Sequence, residues 1–208
     1  MKLYDYVLSG NCFKVRLFLK FLDVTCDLEP VDFFPGCEHK SPTFLQVNPL
    51  GQLPVLEDGN LRLYDSQAIL IYLARKYDSS GQWYPVNDPE TLGRVAQWTA
   101  FADGITATSS AARLHDVLGY NLDIKAARAG AQTLFRVLED HLAHQEFNDQ
   151  HWLAGSQPTI ADIACFPYTA LAGDGGIETF IFPAIERWLC RFSMLPGFHN
   201  MPGMNYFT

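Results

Sequence analysis

The chain has 208 residues, 48% of them hydrophobic and 18% charged, which is the composition of a globular protein with a substantial core. Its formal net charge is −8 and no Lys/Arg cluster interrupts the acidic balance, so we predict no nucleic-acid partner. It contains no run of about 18 apolar residues and no N-terminal signal segment, so we predict no membrane partner. Five cysteines without metal-ligand spacing predict a reduced, cytoplasmic protein that holds no metal: Cys12, Cys26, Cys37, Cys165 and Cys190.

The first part of the chain alternates between strand and helix signals. Residues 2–6 are predicted to form a strand. Residues 11–22 carry apolar side chains at the i, i+3, i+4, i+7 spacing of an amphipathic helix, and residues 26–31 predict a second strand. This order predicts a βαβ unit.

A hairpin and a helix follow, after a proline-containing loop. An Asp-Gly pair separates residues 55–57 from residues 61–64, and such a pair favours a tight turn because Gly tolerates the positive φ required there. Ser66 opens the next helix. The order βαβ and then ββα predicts a thioredoxin-like α/β domain over residues 1–77.

The pattern changes near residue 80. Residues 78–89 contain turn formers and two prolines, and we place the linker there. Beyond it, helical periodicity predicts an all-α bundle domain over residues 90–208. Thr159 and Asp162 form the S/T-x-x-D pattern of a capping box at a helix start. Four helices are expected, at about residues 89–115, 124–145, 159–172 and 183–193.

The start of the first helix, Ser9-Gly10-Asn11-Cys12, could hold and activate a thiolate. A helix N-terminus presents free N–H groups and a partial positive charge. Lowering a thiol pKa by about two units requires roughly 2.7 kcal/mol, and a helix terminus with one hydroxyl donor supplies that order of magnitude. Ser9 is the candidate donor, with a plain N-cap as the alternative. Cys12 completes S-x-x-C, which excludes dithiol exchange within the motif and leaves a mixed disulfide or a buried structural cysteine.

Three further segments could bind a peptide ligand. A cis bond at Leu53-Pro54, which opens an apolar strand, would turn the backbone of Leu53 outward to pair with the ligand. Asp65-Ser66 could hold an α-amino and α-carboxylate pair, with a helix cap as the alternative. His39-Lys40 could clamp a carboxylate, with a solvated charged loop as the alternative.

The order of these segments is more specific than any one of them. Ser9-x-Asn11, EHKSP, NPLGQLPVL and LYDSQAI together resemble the glutathione-binding half of soluble glutathione transferases, and are most similar to the serine-type, phi-like and bacterial classes. PTIADIA and PAIERWL with LPGF extend the resemblance over nearly the whole chain. It implies the glutathione transferase fold, with glutathione as co-substrate and no metal.

The resemblance also implies roles for individual residues. Ser9 would hydrogen-bond the glutathione sulfur, with Asn11 assisting, although other classes use a tyrosine near the end of the first strand, where Tyr6 lies. Asp65 departs from the family, which commonly has Glu there, so its reach to the ammonium group is shorter. His39 and Lys40 would hold the glycyl carboxylate. Gln52 and Leu53, with a cis Pro54, would hold the cysteinyl part. Asp65 and Ser66 would hold the γ-glutamyl group.

The implied reaction is attack by the glutathione thiolate on a soft, apolar electrophile, which gives a thioether. By resemblance the enzyme would be a homodimer, joined through the helix that contains Gln67 and a long helical hairpin. The electrophile would lie between the domains, with plain bundle core as the alternative for each candidate contact: Phe13, Phe101, Ile105, Ser109 and Arg113.

Two other functions are possible on the same scaffold. A glutathione-dependent reductase or peroxidase would form glutathione disulfide, or a mixed disulfide at Cys12; Ser9 in the place of a reactive cysteine argues against it. A non-enzymatic binding or scaffold protein would keep the fold without turnover, and the complete set of glutathione contacts argues against that.

Overall fold

The computed structural model describes residues 1–204, in which an α/β half precedes an all-helical half. The sheet has the order β2-β1-β3-β4, with β1 and β2 parallel and the β1–β3 and β3–β4 pairs antiparallel. This confirms the thioredoxin-like arrangement expected from the order of the signals. The elements of this half are β1 (Lys2–Asp5), α1 (Gly10–Phe21), β2 (Asp27–Pro30), α2 (Pro42–Val47), β3 (Val55–Asp58), β4 (Leu61–Tyr64) and α3 (Ser66–Tyr77).

The second half of the described chain is helical, as expected. Its central helix is buried along its whole length and packs against α1 and α3 of the first half. One hydrophobic core cluster therefore runs through both halves, and a smaller one lies within the first half. Within residues 1–204, no helix combines the length and apolarity that a bilayer span requires. The helices are α4 (Pro89–Ile105), α5 (Ala111–Leu118), α6 (Ile124–Phe147), α7 (Ile160–Ala170) and α8 (Pro183–Ser193).

The start of α7 confirms the predicted capping box. The Thr159 side chain accepts from the first turn, and Asp162 Oδ2 accepts from the backbone N–H of Thr159 at 2.9 Å. The buried carboxylate also accepts from Leu153 N–H at 3.1 Å and from Trp188 Nε1 at 3.0 Å. Asp162 therefore ties the start of α7 to the loop before it and to α8.

Two features differ from the sequence prediction. Helix α2 occupies a region expected to be loop; Ser41 caps it by accepting Phe44 N–H at 3.1 Å, and Phe44 is buried. A six-residue helix is too short to show helical periodicity, which explains why the pattern missed it.

The predicted long helix over residues 89–115 is interrupted by a π-helical turn at Thr106–Ser110. There the hydroxyls of Thr106 and Thr108 donate to the carbonyls of Ala102 and Gly104 at 3.0 and 2.7 Å. Side-chain bonds of this kind compete with the backbone ladder and bend helices. The turn changes which side chains of α4 and α5 share a face.

Candidate functional site

A cavity of about 520 Å³ lies between the loops of the α/β half and the α4–α5 segment. Its wall combines both halves of the chain, with Tyr168 contributed by α7. The structure therefore brings together all the residues proposed to activate or bind glutathione, whose roles stay predictions: Ser9, Asn11, His39, Lys40, Gln52, Leu53, Pro54, Asp65 and Ser66.

The first turn of α1 forms one end of the cavity. Ser9 caps the helix, and its Oγ accepts the backbone N–H of Cys12 at 3.2 Å. The N–H of Asn11 donates to the hydroxyl of Tyr168 at 3.3 Å. A hydroxyl accepts through its lone pairs and donates through its own hydrogen, so capping and donation to a ligand are compatible at Ser9.

Arginines fix the loop that carries Ser9. Arg113 Nη1 donates to the Leu8 carbonyl at 2.9 Å, while its Nε bonds Asp174 Oδ2 at 2.8 Å. Arg16 pairs with Asp5 and donates to the Val7 carbonyl at 2.9 Å. Because these side chains come from α1 and α5, the loop is held by both halves of the chain.

Cys12 lies in the core behind this turn. Its side chain is fully buried, and its sulfur accepts the backbone N–H of Tyr6 at 3.5 Å. Burial raises the pKa of the Cys12 thiol to about 12. The thiol therefore stays protonated at physiological pH, as expected of a structural cysteine.

The start of α3 forms a polar chain at another side of the cavity. Asp65 caps the helix by accepting the N–H groups of Gln67 and Ala68 at 2.9 and 3.0 Å. The Ser66 hydroxyl donates to the Gln67 side chain, which donates in turn to Asp103 on α4. Partial burial and the nearby Asp65 charge raise the pKa of Asp103. This corner is an electronegative pocket suited to a cationic amino group.

Sequence reasoning missed Gln67 and Asp103 as members of the site. Asp103 is the only acidic residue between Glu90 and Asp116, but it is an exposed carboxylate in the last turn of α4, which is ordinary on a helix surface, so the sequence offered no specific signal for it. The hydrogen bond from Gln67 to Asp103 joins residues 36 positions apart, so no local sequence pattern predicts it.

The third side of the cavity contains His39 and Lys40. The His39 ring stacks on Phe33 with a centroid separation of 4.1 Å, and burial together with Lys40 lowers the His39 pKa. The imidazole is therefore neutral near pH 7. Lys40 Nζ donates to the carbonyls of Leu50 and Gly51 at 3.2 and 2.9 Å. The cation at this side is thus Lys40, held against the loop before β3.

The Leu53-Pro54 peptide at the floor of the cavity is cis. The ladder between β1 and β3 begins at Val55, so Leu53 lies just before the paired part of the strand. The carbonyl of Gln52 accepts from Asn48 Nδ2 at 2.9 Å, which fixes this segment from behind.

Comparison with known proteins identifies the family. Residues 1–75 match the family model "Glutathione S-transferase, N-terminal domain", and residues 121–196 match "Glutathione S-transferase, C-terminal domain". Glutathione S-transferase theta-1 of Homo sapiens is 42% identical over 207 residues, which span 95% of this chain and 84% of that relative. The chain belongs to the glutathione S-transferase family.

Solved structures agree with this membership. A possible glutathione S-transferase from Rhodopseudomonas palustris superposes with a TM-score of 0.85 at 34% identity, covering 97% of this chain and 89% of that one. A glutathione transferase homolog from Lodderomyces elongisporus, with two GSH per subunit, gives a TM-score of 0.81 at 25% identity over 94% of each chain. The serine-type subclass remains a prediction for this glutathione S-transferase.

The predicted electrophile contacts of this glutathione S-transferase need correction. Of the five candidates, only Arg113 lines the cavity, where it also holds the loop of Leu8. Phe13 and Ile105 are buried in the core, Phe101 packs edge-on against Trp98, and Ser109 donates to the Tyr168 carbonyl at 2.6 Å.

The prediction followed an i+4 stripe from Phe101, and apolar positions on that stripe face the core. The cavity is lined instead by the neighbouring stripe of α4, the π-helical turn and α5, whose members also recur every three or four residues. The cavity-lining side chains outside the predicted glutathione contacts include Leu8, Phe33, Thr106, Ala107, Ser110, Ala111, Leu114, Leu118 and Tyr120.

Two buried polar atoms at the cavity lack hydrogen-bond partners within the described residues. They are Asn11 Oδ1 and His39 Nδ1. Both atoms belong to residues that line the cavity. Among residues 1–204, no group of three or more His, Cys, Asp or Glu side chains is arranged to hold a metal ion.

Proposed function

We propose that this chain is a glutathione transferase that joins the glutathione thiolate to small apolar electrophiles. The observation that carries the proposal is the single cavity in which the first turn of α1, the acidic corner of α3 and the Lys40 side meet. The relatives' names support glutathione as the co-substrate, and the Lodderomyces elongisporus homolog contains it. Cleft ends of complementary charge suit a peptide with a free ammonium group and carboxylates.

The orientation of glutathione follows from the charges. The γ-glutamyl ammonium group faces Asp65 and Asp103, and the γ-glutamyl carboxylate faces Ser66 and the N-terminus of α3. The glycyl carboxylate extends toward His39 and Lys40. Because Asp65 is shorter than the Glu common in the family, Asp103 supplements the negative charge on this side.

Catalysis consists of making the bound thiol more acidic and presenting it to the electrophile. The thiol proton leaves to solvent, and the thiolate accepts a hydrogen bond from Ser9 at the positive end of α1. The thiolate then forms a C–S bond to the electrophilic carbon, while the leaving group departs with its bonding electrons. The pKa is expected to fall by about two units, which corresponds to roughly 2.7 kcal/mol.

The wall opposite the sulfur sets the class of electrophile. It combines aliphatic side chains of α4 and α5 with the stacked rings of Tyr6 and Phe33, whose centroids are 5.2 Å apart. Tyr120 continues the stack at 6.3 Å from Phe33. Such a wall has few charges, so it favours apolar substrates.

A thiol-disulfide mechanism at Cys12 has no support, because its sulfur is buried and its thiol is not acidic.

The proposal also covers the organisation of the chain: a glutathione-binding domain at 1–77, a linker at 78–89 and a helical domain at 90–208. A cytoplasmic homodimer is also part of the proposal, and light scattering of the purified protein tests the dimer.

The experiment is glutathione titration followed by an electrophile panel on the wild type and Ser9→Ala. We expect thioether formation by the wild type and a loss of about 10- to 100-fold in kcat/KM near pH 6.5 for the variant, since a hydrogen bond to a charged group is worth about 1.5–3 kcal/mol. Ser41→Ala is the matched control, because Ser41 caps α2 in the same way outside the cavity. Equal activity of Ser9→Ala and the control would remove Ser9 from the mechanism.

A further inference from the structure

We propose that Tyr168, on α7, is a second hydroxyl donor to the glutathione sulfur and acts beside Ser9. The inference rests on the proposed function, because it concerns how the same cavity stabilises the same thiolate. Tyr168 lines the cavity from the helical half, and its side chain is largely buried.

The ring is held against the start of α1 by close packing. A Cβ placed on Gly10 would lie 2.6 Å from Tyr168 Cε1, so only glycine at this position lets the ring approach the first turn. The Ser109 hydroxyl donates to the Tyr168 carbonyl at 2.6 Å and fixes the residue from the opposite side. The phenol is therefore preorganised at the sulfur end of the cavity.

The hydroxyl oxygens of Ser9 and Tyr168 each accept a backbone hydrogen bond from the first turn of α1. The Cys12 N–H donates to Ser9 Oγ at 3.2 Å, and the Asn11 N–H donates to Tyr168 Oη at 3.3 Å. These are successive amides at the positive end of the helix. Each oxygen thus acts as an acceptor toward the helix. The Ser9 hydroxyl also hydrogen-bonds the Cys12 side chain, whereas within the described residues the Tyr168 hydroxyl hydrogen has no protein acceptor. The Tyr168 hydrogen is therefore available to a ligand in the cavity.

This arrangement strengthens both donors. A hydroxyl that accepts a hydrogen bond becomes a better donor, because the bonds of a chain polarise one another. Two free N–H groups of α1 therefore bond the two hydroxyls and not the sulfur directly. The polarised hydroxyls extend the electrostatic effect of the helix N-terminus to the glutathione sulfur. The thiol proton still leaves to solvent, and Tyr168 keeps its own.

A buried cation lies below the Tyr168 ring. Lys14 of α1 is fully buried, its ammonium group has no hydrogen-bond partner within residues 1–204, and its Nζ lies 5.6 Å from the ring centroid. A positive charge near the ring favours electron withdrawal from the phenol oxygen, which makes the O–H a stronger donor. The proposed role of the Lys14 ammonium group is therefore to strengthen the Tyr168 hydroxyl as a hydrogen-bond donor.

The test is the pKa of the thiol in the enzyme–glutathione complex, measured from thiolate ultraviolet absorbance at saturating glutathione. For Tyr168→Phe, which keeps the ring, we expect this pKa to rise by about one unit and kcat/KM below the new pKa to fall about tenfold. The rate should recover at higher pH, whereas a purely structural defect would lower it at all pH values.

Tyr84→Phe is the matched control, because Tyr84 is a partly buried tyrosine that packs on the core and does not line the cavity. An unchanged thiol pKa in Tyr168→Phe, or an equal shift in Tyr84→Phe, would overturn the proposal. If Tyr168→Phe does not fold, a fluorinated tyrosine at position 168 keeps the ring and donates more strongly, so the thiol pKa should fall; no change would again overturn it. A wild type that binds glutathione with a lowered thiol pKa but conjugates no electrophile would refute the proposed reaction alone, and the same titration would still decide the role of Tyr168.

Discussion

Replacing Lys14 with methionine is expected to stabilise the fold at neutral pH. The lysine is fully buried in α1, and burial lowers the pKa of its ammonium group from 10.5 to about 8. A shift of this size corresponds to roughly 3 kcal/mol of unfavourable free energy for keeping the charged form inside the protein. Methionine has a similar length and fills irregular space well. Losing the cation–π contact with Tyr168 offsets about 1 kcal/mol, which leaves a gain of about 2 kcal/mol.

The gain should depend on pH with a definite sign. The unfolded chain keeps the lysine protonated up to its ordinary pKa, while the folded chain releases the proton near pH 8, so the unfolded state binds more protons between about 8 and 10.5. Wild-type stability therefore rises through this window relative to the methionine variant, which does not titrate there. The carboxylates that face Lys14, from Asp103 and Asp65, favour its protonated form and are already included in the lowered value, while the Cys165 thiol beside it is kept neutral because burial raises its pKa.

Urea unfolding of both proteins at several pH values between 7 and about 10 provides the measurement. Comparing the two free energies cancels the titration of the cysteines common to both. Lys20→Met, at an exposed position of the same helix, should change the free energy of unfolding by less than about 0.5 kcal/mol. A destabilised Lys14→Met variant, or a gain that stays constant with pH, would refute the account of Lys14 as a desolvated ammonium. Retention of a residue that lowers stability is typical of functional positions.

Three further predictions concern the cavity and its supports. Asp103→Asn should raise the KM for glutathione about tenfold with a smaller effect on kcat, because it removes a charge facing the ammonium group; steady-state kinetics with an unchanged KM would contradict this. Arg113→Met should lower the Tm by about 5–10 °C, since it leaves the Leu8 carbonyl and Asp174 without their shared partner, and calorimetry showing an unshifted Tm would oppose it. Cys12→Ser should keep turnover within about twofold, because the thiol is buried and protonated; near-complete loss in the same conjugation assay would restore the mixed-disulfide mechanism.

The parts of the structure that follow local rules could be predicted from the sequence. The start of α1 at Ser9, the β3–β4 turn and the capping box of Thr159 and Asp162 depend on residues within a few positions of one another. The residues proposed to bind glutathione were predicted from the order of the motifs, and the structure gathers them at one cavity.

The parts that depend on distant contacts could not be predicted in this way. The bond from Asn11 to Tyr168 joins positions 157 apart, and the fit of the ring against Gly10 exists only once α7 packs on α1. Periodicity likewise does not tell which of two neighbouring stripes of a helix faces the core, which is why Phe101, Ile105 and Ser109 were placed on the wrong side.

The pKa of the glutathione thiol, compared between the wild-type complex and free solution, tests the central claim most directly. A pH titration of thiolate absorbance, with glutathione bound at saturation and the spectrum of the protein alone subtracted, gives this value. The account predicts a bound pKa about two units below that of the free tripeptide, because Ser9 and the N-terminus of α1 stabilise the anion. Identical titration curves for bound and free glutathione would contradict it.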